Sequence, residues 1–131
     1  MKKLLFTIFV AVFSFQFTYA SLNDTLIIGT WKGTSVCQIK SSPCHDELAA
    51  YHLSKGDKPG IYHIVANKII NGVEEDMGAF DFSFEAGTGT LTYTDEARDA
   101  VWKFKVSGNK MEGTLHYKGQ LFRIIKLTKE K

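Results

Sequence analysis

Trp102-Lys103-Phe104-Lys105-Val106-Ser107-Gly108-Asn109-Lys110-Met111-Glu112-Gly113-Thr114-Leu115 alternates large apolar residues with polar ones on both sides of a Gly-Asn pair. A two-residue turn at Gly108-Asn109 matches the twist of two antiparallel strands and so sets their register. Val106 then faces Met111, Phe104 faces Gly113 and Trp102 faces Leu115, while Lys103, Lys105, Glu112 and Thr114 fall on the other face. One face is core and the other is wet, the period-two pattern of a half-buried strand pair. Phe104 places a large ring over a residue that has no side chain.

The same pattern extends outward in both directions. Eight segments read as strands, roughly 28–39, 47–55, 61–70, 73–85, 90–94, 100–106, 110–117 and 120–128, separated by turn-forming residues such as Gly56 to Gly60, Asn71-Gly72, Ala86 to Gly89 and Lys118-Gly119. After residue 24 only Asp95 to Asp99 offers room for a helical turn. A four-residue loop at Gly56–Pro59 pairs Leu53 with Tyr62 and Tyr51 with Ile64 inward, leaving His52 opposite His63 outside. A type I′ turn at Asn71-Gly72 pairs Lys68 with Glu75. Continued unbroken, that register would turn Phe80, Phe82 and Phe84 to solvent, so one extra residue, a β-bulge near Gly78, is expected. Eight sequential strands with short connections describe an all-β, up-and-down antiparallel sheet, which buries its apolar face and removes its edges by closing into a barrel.

The first twenty residues read differently. Lys2 and Lys3 precede the apolar run Leu4 to Phe17, and Thr18-Tyr19-Ala20 ends in a small residue, the pattern of a signal peptide cut before Ser21. The run is too short for a comfortable membrane span, and Ser21 in place of Cys excludes a lipoprotein anchor at that cut. Residues 21–131 then form one domain of an exported, periplasmic or secreted protein with no stable membrane anchor. Removing two lysines from 16 basic residues leaves 14 against 14 acidic ones, so the mature chain is neutral overall. Such a surface offers nothing to nucleic acid. Both cysteines, Cys37 and Cys44, lie in the exported part, where an oxidising compartment favours a bridge. The short loop it closes contributes roughly 2.5 kcal/mol in the chain-entropy model.

The first strand opens with Gly29-Thr30-Trp31-Lys32-Gly33 and the last carries Leu121-Phe122-Arg123-Ile124. This resembles the calycin superfamily, whose lipocalins begin with Gly-x-Trp and whose fatty-acid-binding proteins begin with Gly-Thr-Trp-Lys, many members carrying a terminal-strand Arg. The resemblance implies a lipocalin-like barrel in which the Trp31 indole plugs one end and the interior holds a small hydrophobic molecule. The chain departs from fatty-acid-binding proteins in having a Cys37–Cys44 loop where they have a helical lid, and Ile125 where their Arg-x-Tyr clamp needs Tyr.

On these registers Trp31, Tyr51, Tyr62, Phe82, Trp102 and Phe104 face the interior and are the candidate ligand-binding residues, with Arg123 as a seventh. A two-residue turn at Lys118-Gly119 pairs Leu115 with Phe122 and sends Arg123 outward or onto Trp31. A three-residue loop reverses the parity and brings Arg123 inside with Leu121 and Ile125. An arginine there needs a partner. The interior aromatics either enclose a ligand or fill a small barrel themselves, and in the second case the chain works as a protein-interaction or inhibitor unit through loops 40–46, 56–60 and 95–99. Cys44-His45-Asp46-Glu47 with His52 and His63 has ligand-type residues but reads as a turn and a wet face, so no metal site is expected. Gly-x-Ser-x-Gly and His-Glu-x-x-His are absent, so neither catalytic residues nor a cofactor are expected.

Overall fold

Short turns and strict alternation leave sequential antiparallel pairing as the simplest way to satisfy the backbone. The computed structural model, which describes Ala11 and residues 20–131 with side chains from Asn23 onward, has that arrangement. A short helix α1 (Ala20–Ile27) precedes β1 (Gly29–Cys37), β2 (Glu47–Lys55), β3 (Ile61–Ile70), β4 (Val73–Glu85), β5 (Thr90–Asp95), β6 (Ala100–Ser107), β7 (Lys110–Tyr117) and β8 (Gln120–Lys129). Each strand pairs with the next, and β8 pairs with β1 to close an eight-stranded barrel. The leader reading of residues 1–20 falls outside the described residues, save Ala11 and Ala20.

The β6–β7 hairpin has the expected register, with Val106 opposite Met111, Phe104 opposite Gly113 and Trp102 opposite Leu115. The bulge in β4 is also present. Ala66 pairs with Gly78 but Asn67 with Asp76, leaving Met77 as the extra residue. Gly78 has φ of +134°, and Asp76 Oδ1 accepts its N–H at 2.8 Å. A side chain there would also strike the Phe80 ring. Lys68 faces Glu75 as the turn dictates.

Several expectations need correction. The loop after β2 begins one residue later, because Gly56 N–H bonds to Ile61 O. Leu53 therefore faces Ile64 and Tyr51 faces Ala66, a shift of two that keeps every inward residue inward. His52 consequently lies opposite Val65, and the two histidines are not a pair. The Lys118-Gly119 turn does have two residues, yet Arg123 is inside: Leu115 pairs with Arg123 and His116 with Leu121, so a second bulge at Phe122 reverses the parity. Residues 96–99 form a turn, with no helix. The helix lies earlier, at α1.

That helix closes one end. Ile27 is fully buried, and its carbonyl accepts the Trp31 indole N–H at 2.9 Å. Lys129 Nζ donates to Thr25 O and Leu26 O, satisfying carbonyls at the negative end of the helix dipole, and sits 5.8 Å from the Trp31 ring centre. The cation over the indole is thus Lys129, and Arg123 is at the other end. Tyr62 Oη donates to Asp24 Oδ1 at 2.6 Å, and Lys55 lies 3.3 Å from the same carboxylate. Between this seal and the barrel middle, Trp31, Ile64, Phe82, Leu91, Phe104, Met111 and Ile125 are almost wholly buried. The closed half is filled.

Candidate mouth cavity

The opposite end stays open because its inward positions carry small or polar residues: Ser35 on β1, Glu47 and Ala49 on β2 and Ala66 on β3. They border a cavity of about 130 Å³, whose apolar wall is Tyr51, Met77, Phe80, Trp102 and Leu115. Phe80 and Trp102 stack at 5.3 Å, with Tyr93 tilted against both. A second apolar hollow of about 170 Å³ adjoins over Trp102 and Leu115 and is bounded by Ala100, Tyr117 and Phe122, with Arg98 between the two.

The seven residues singled out from sequence divide between the two ends. Tyr51, Trp102 and Arg123 line the mouth. Trp31, Phe82 and Phe104 belong to the filled core, and Tyr62 turns its hydroxyl toward α1. A groove of about 270 Å³ beside α1 and loop 56–60 is larger than the mouth, but its facing polar groups, Tyr62, Asp24 and Lys55, are already bonded to one another.

Arg123 organises the mouth. Its Nη1 donates to Ser35 O, Ser35 Oγ and His45 O at 3.3, 3.2 and 3.0 Å, and its Nη2 lies 3.5 Å from Glu47 Oε1. The Cys37–Cys44 disulfide holds the loop that presents His45, and Cys37 N–H bonds to Asp46 Oδ1 at 2.9 Å. Buried Tyr51 stands next to this pair. Burial above all, and then the Glu47 carboxylate, push its hydroxyl up to about 12, against an opposing pull from Arg123. Two further ion pairs flank the opening, Asp95 with Arg98 at 3.7 Å and Lys68 with Glu75 at 3.8 Å. The charged side chains that line the cavity, Glu47, Arg98 and Arg123, each have a partner of opposite sign.

On the outer face, Thr30 Oγ1 meets His52 Nδ1 at 3.1 Å and His52 Nε2 meets Glu74 Oε1 at 2.7 Å. The order of groups is that of a hydrolase relay, but the setting is an open sheet. His52 and Glu74 are 41% and 37% exposed, and the neighbouring amides are committed to strand ladders. The chain of bonds ties β1, β2 and β4 together and holds the Glu74 carboxyl below its usual range, chiefly through the His52 hydrogen bond. His63 meets Asp81 at 2.8 Å in the same way. Among the described residues no three His, Cys, Asp or Glu side chains converge as metal ligands. No helix among them is long and apolar enough to cross a membrane.

No family model matches this chain, and no curated protein matches it.

Proposed function

We propose that this is an exported binding protein that holds a small, flat, neutral hydrophobic molecule in the barrel mouth, against the stacked rings of Phe80 and Trp102. The observation that carries the reading is the aromatic-walled cavity above a filled core. Its size suits a single ring, since a dry apolar cavity of about 150 Å³ accepts benzene. The adjoining hollow gives room for a substituent directed toward Tyr117 and Phe122. Neutrality follows from the charges. Glu47 already answers Arg123, so a carboxylate ligand would have to displace it and leave a second acid nearby. The protein acts on this reading by binding alone, without catalysis or a cofactor, and has no affinity for nucleic acid. The disulfide and the leader pattern support export, and exported material should begin at Ser21 by N-terminal sequencing.

The test is a titration followed by tryptophan emission. Trp31 is fully buried in the closed half, so a ligand at the mouth reports through Trp102. Toluene and naphthalene should shift the emission with dissociation constants of about 10–100 µM, roughly −5.5 to −7 kcal/mol. Benzoate and long-chain fatty acids should not, and Trp102→Phe should abolish the response. No response to any neutral aromatic would end this reading and leave a protein that works through its surface.

A further inference from the structure

We infer that the uncovered edge of β4 is a strand-addition site for an extended, basic segment of a partner protein. β4 runs from Val73 to Glu85 and pairs with β3 along almost all of that length, but it pairs with β5 only at Ser83, Phe84 and Glu85. Above Ser83, among the described residues, no strand pairs with residues 73–82 on that side.

The backbone there is aimed outward in register. Phe84 N–H bonds to Gly60 O on the β3 side, whereas Glu85 O accepts from Gly89 N–H on the β5 side. By alternation, Asp81 and Ala79 direct their N–H and C=O groups to the uncovered side. Both residues are exposed, as are Val73 to Met77. Unpaired edges of this kind template a further strand unless charge, proline or a cover prevents it.

Charge selects the occupant. Glu74, Glu75, Asp76 and Asp81 lie along β4, and Asp95, Glu96 and Asp99 stand on the far side of the gap. Lys68 and Arg98 offset two of these acids, Glu75 and Asp95, and the imidazoles of His52 and His63 hydrogen-bond Glu74 and Asp81, so acid stays in excess along the gap. A second copy of this edge would bring acid against acid, while a basic strand is attracted. The incoming segment should alternate. Its inward side chains meet the rings of Phe80, Tyr93 and Trp102, and its outward ones meet Asp81 and Glu96. Main-chain bonds supply affinity and the alternating side chains supply selectivity, as in other strand-addition complexes.

The probe is a capped peptide of about seven residues alternating lysine and valine. Amide hydrogen exchange at Ala79 and Asp81, read by NMR, should slow at least tenfold when it is added. A glutamate–valine peptide, and a lysine–valine peptide interrupted by prolines, should leave both amides unchanged. Ala79→Pro removes a donor from the free side without touching the β3 ladder and should abolish binding. Should that variant fold poorly, Asp81→Asn with Glu96→Gln decides the matter by weakening binding several-fold. The inference is overturned if both amides are already protected in the free protein, if acidic and basic peptides bind equally, or if binding survives these substitutions.

Discussion

Arg123 Nη2 stands 3.5 Å from Glu47 Oε1, with both side chains directed into the mouth of the barrel. Three further bonds from the guanidinium, to Ser35 and His45, make this a satisfied buried cation that joins β8 to β1, β2 and the disulfide loop. Removing one partner of such a pair costs far more than removing both. Arg123→Met should therefore lower stability by about 2–4 kcal/mol in urea unfolding, and Arg123→Met with Glu47→Leu should recover most of the loss. Equal losses for the single and double variants would show that the pair is not coupled.

Gly113 is fixed by crowding. A Cβ built there meets Lys103 O and the Phe104 ring. Because the obstruction includes backbone, the β6–β7 pair has to separate to admit even a methyl group. Gly113→Ala should cost about 1–3 kcal/mol, measured by denaturant midpoint at constant m-value.

Tyr51 makes the barrel sensitive to alkali. Its hydroxyl ionises near 10 when unfolded and is pushed up to about 12 in the mouth. Between those values the unfolded chain releases a proton that the folded chain keeps, so stability falls as pH rises through the window. The full effect is roughly 2–3 kcal/mol. Tyr51→Phe should lessen the fall in thermal stability between pH 10 and 12, leaving the share of Tyr62, whose hydroxyl is also raised by burial and by Asp24. An unchanged pH slope would place the alkaline transition elsewhere.

Asp24 has the opposite sign. The Tyr62 hydrogen bond, and Lys55 after it, hold its carboxyl below the usual range despite some desolvation. The contribution is present above the unfolded pKa near 3.8 and disappears as pH falls through the lower folded value. Tyr62→Phe should move the Asp24 carboxyl upward in an NMR titration and increase amide exchange in α1. A carboxyl that stays put would mean that Lys55 alone controls it.

The disulfide closes a loop of short span, with Cys37 and Cys44 seven positions apart. Cys37→Ser with Cys44→Ser should lower stability by about 2.5 kcal/mol at most. The same variant should loosen His45 against Arg123, visible as greater exchange in residues 38–46. Stability loss without any change in that loop would separate the bridge from the mouth.

How far the sequence reveals this molecule depends on whether parity was constrained. In β4, Lys68 facing Glu75 conflicts with inward Phe80, Phe82 and Phe84, and only a bulge removes the conflict. In β8 no such conflict arises, because Phe122 and Ile124, or Leu121 and Ile125, both satisfy an apolar interior. The bulge at Phe122 was accordingly invisible, and with it the direction of Arg123. The β2–β3 pairing slipped by two because alternation is blind to an even shift, and only Gly56 joining the ladder distinguishes the choices. The interior aromatics were legible as inward, but alternation carries no depth along the barrel axis. It could not separate Trp102 at the mouth from Trp31 beneath α1. The short α1 lacks a long periodic pattern and is held chiefly by Ile27, Asp24 and Lys129, contacts made far along the chain.

The closure of β8 on β1 also brings the two ends of the domain together. Glu130 N–H bonds to Thr30 O, and Lys129 reaches the carbonyls of Thr25 and Leu26. A chain circularly permuted by a flexible linker from β8 back to the start of α1, and opened at the solvent-exposed Asn71-Gly72 turn, would keep every strand beside its present neighbours. The contact between Arg123 and Ser35, which now spans 88 positions, would become one of the nearer pairings in sequence. The β3–β4 contact would become the most distant. The order in which the wall assembles is therefore a property of where the backbone is cut, while the wall itself is a property of the side chains.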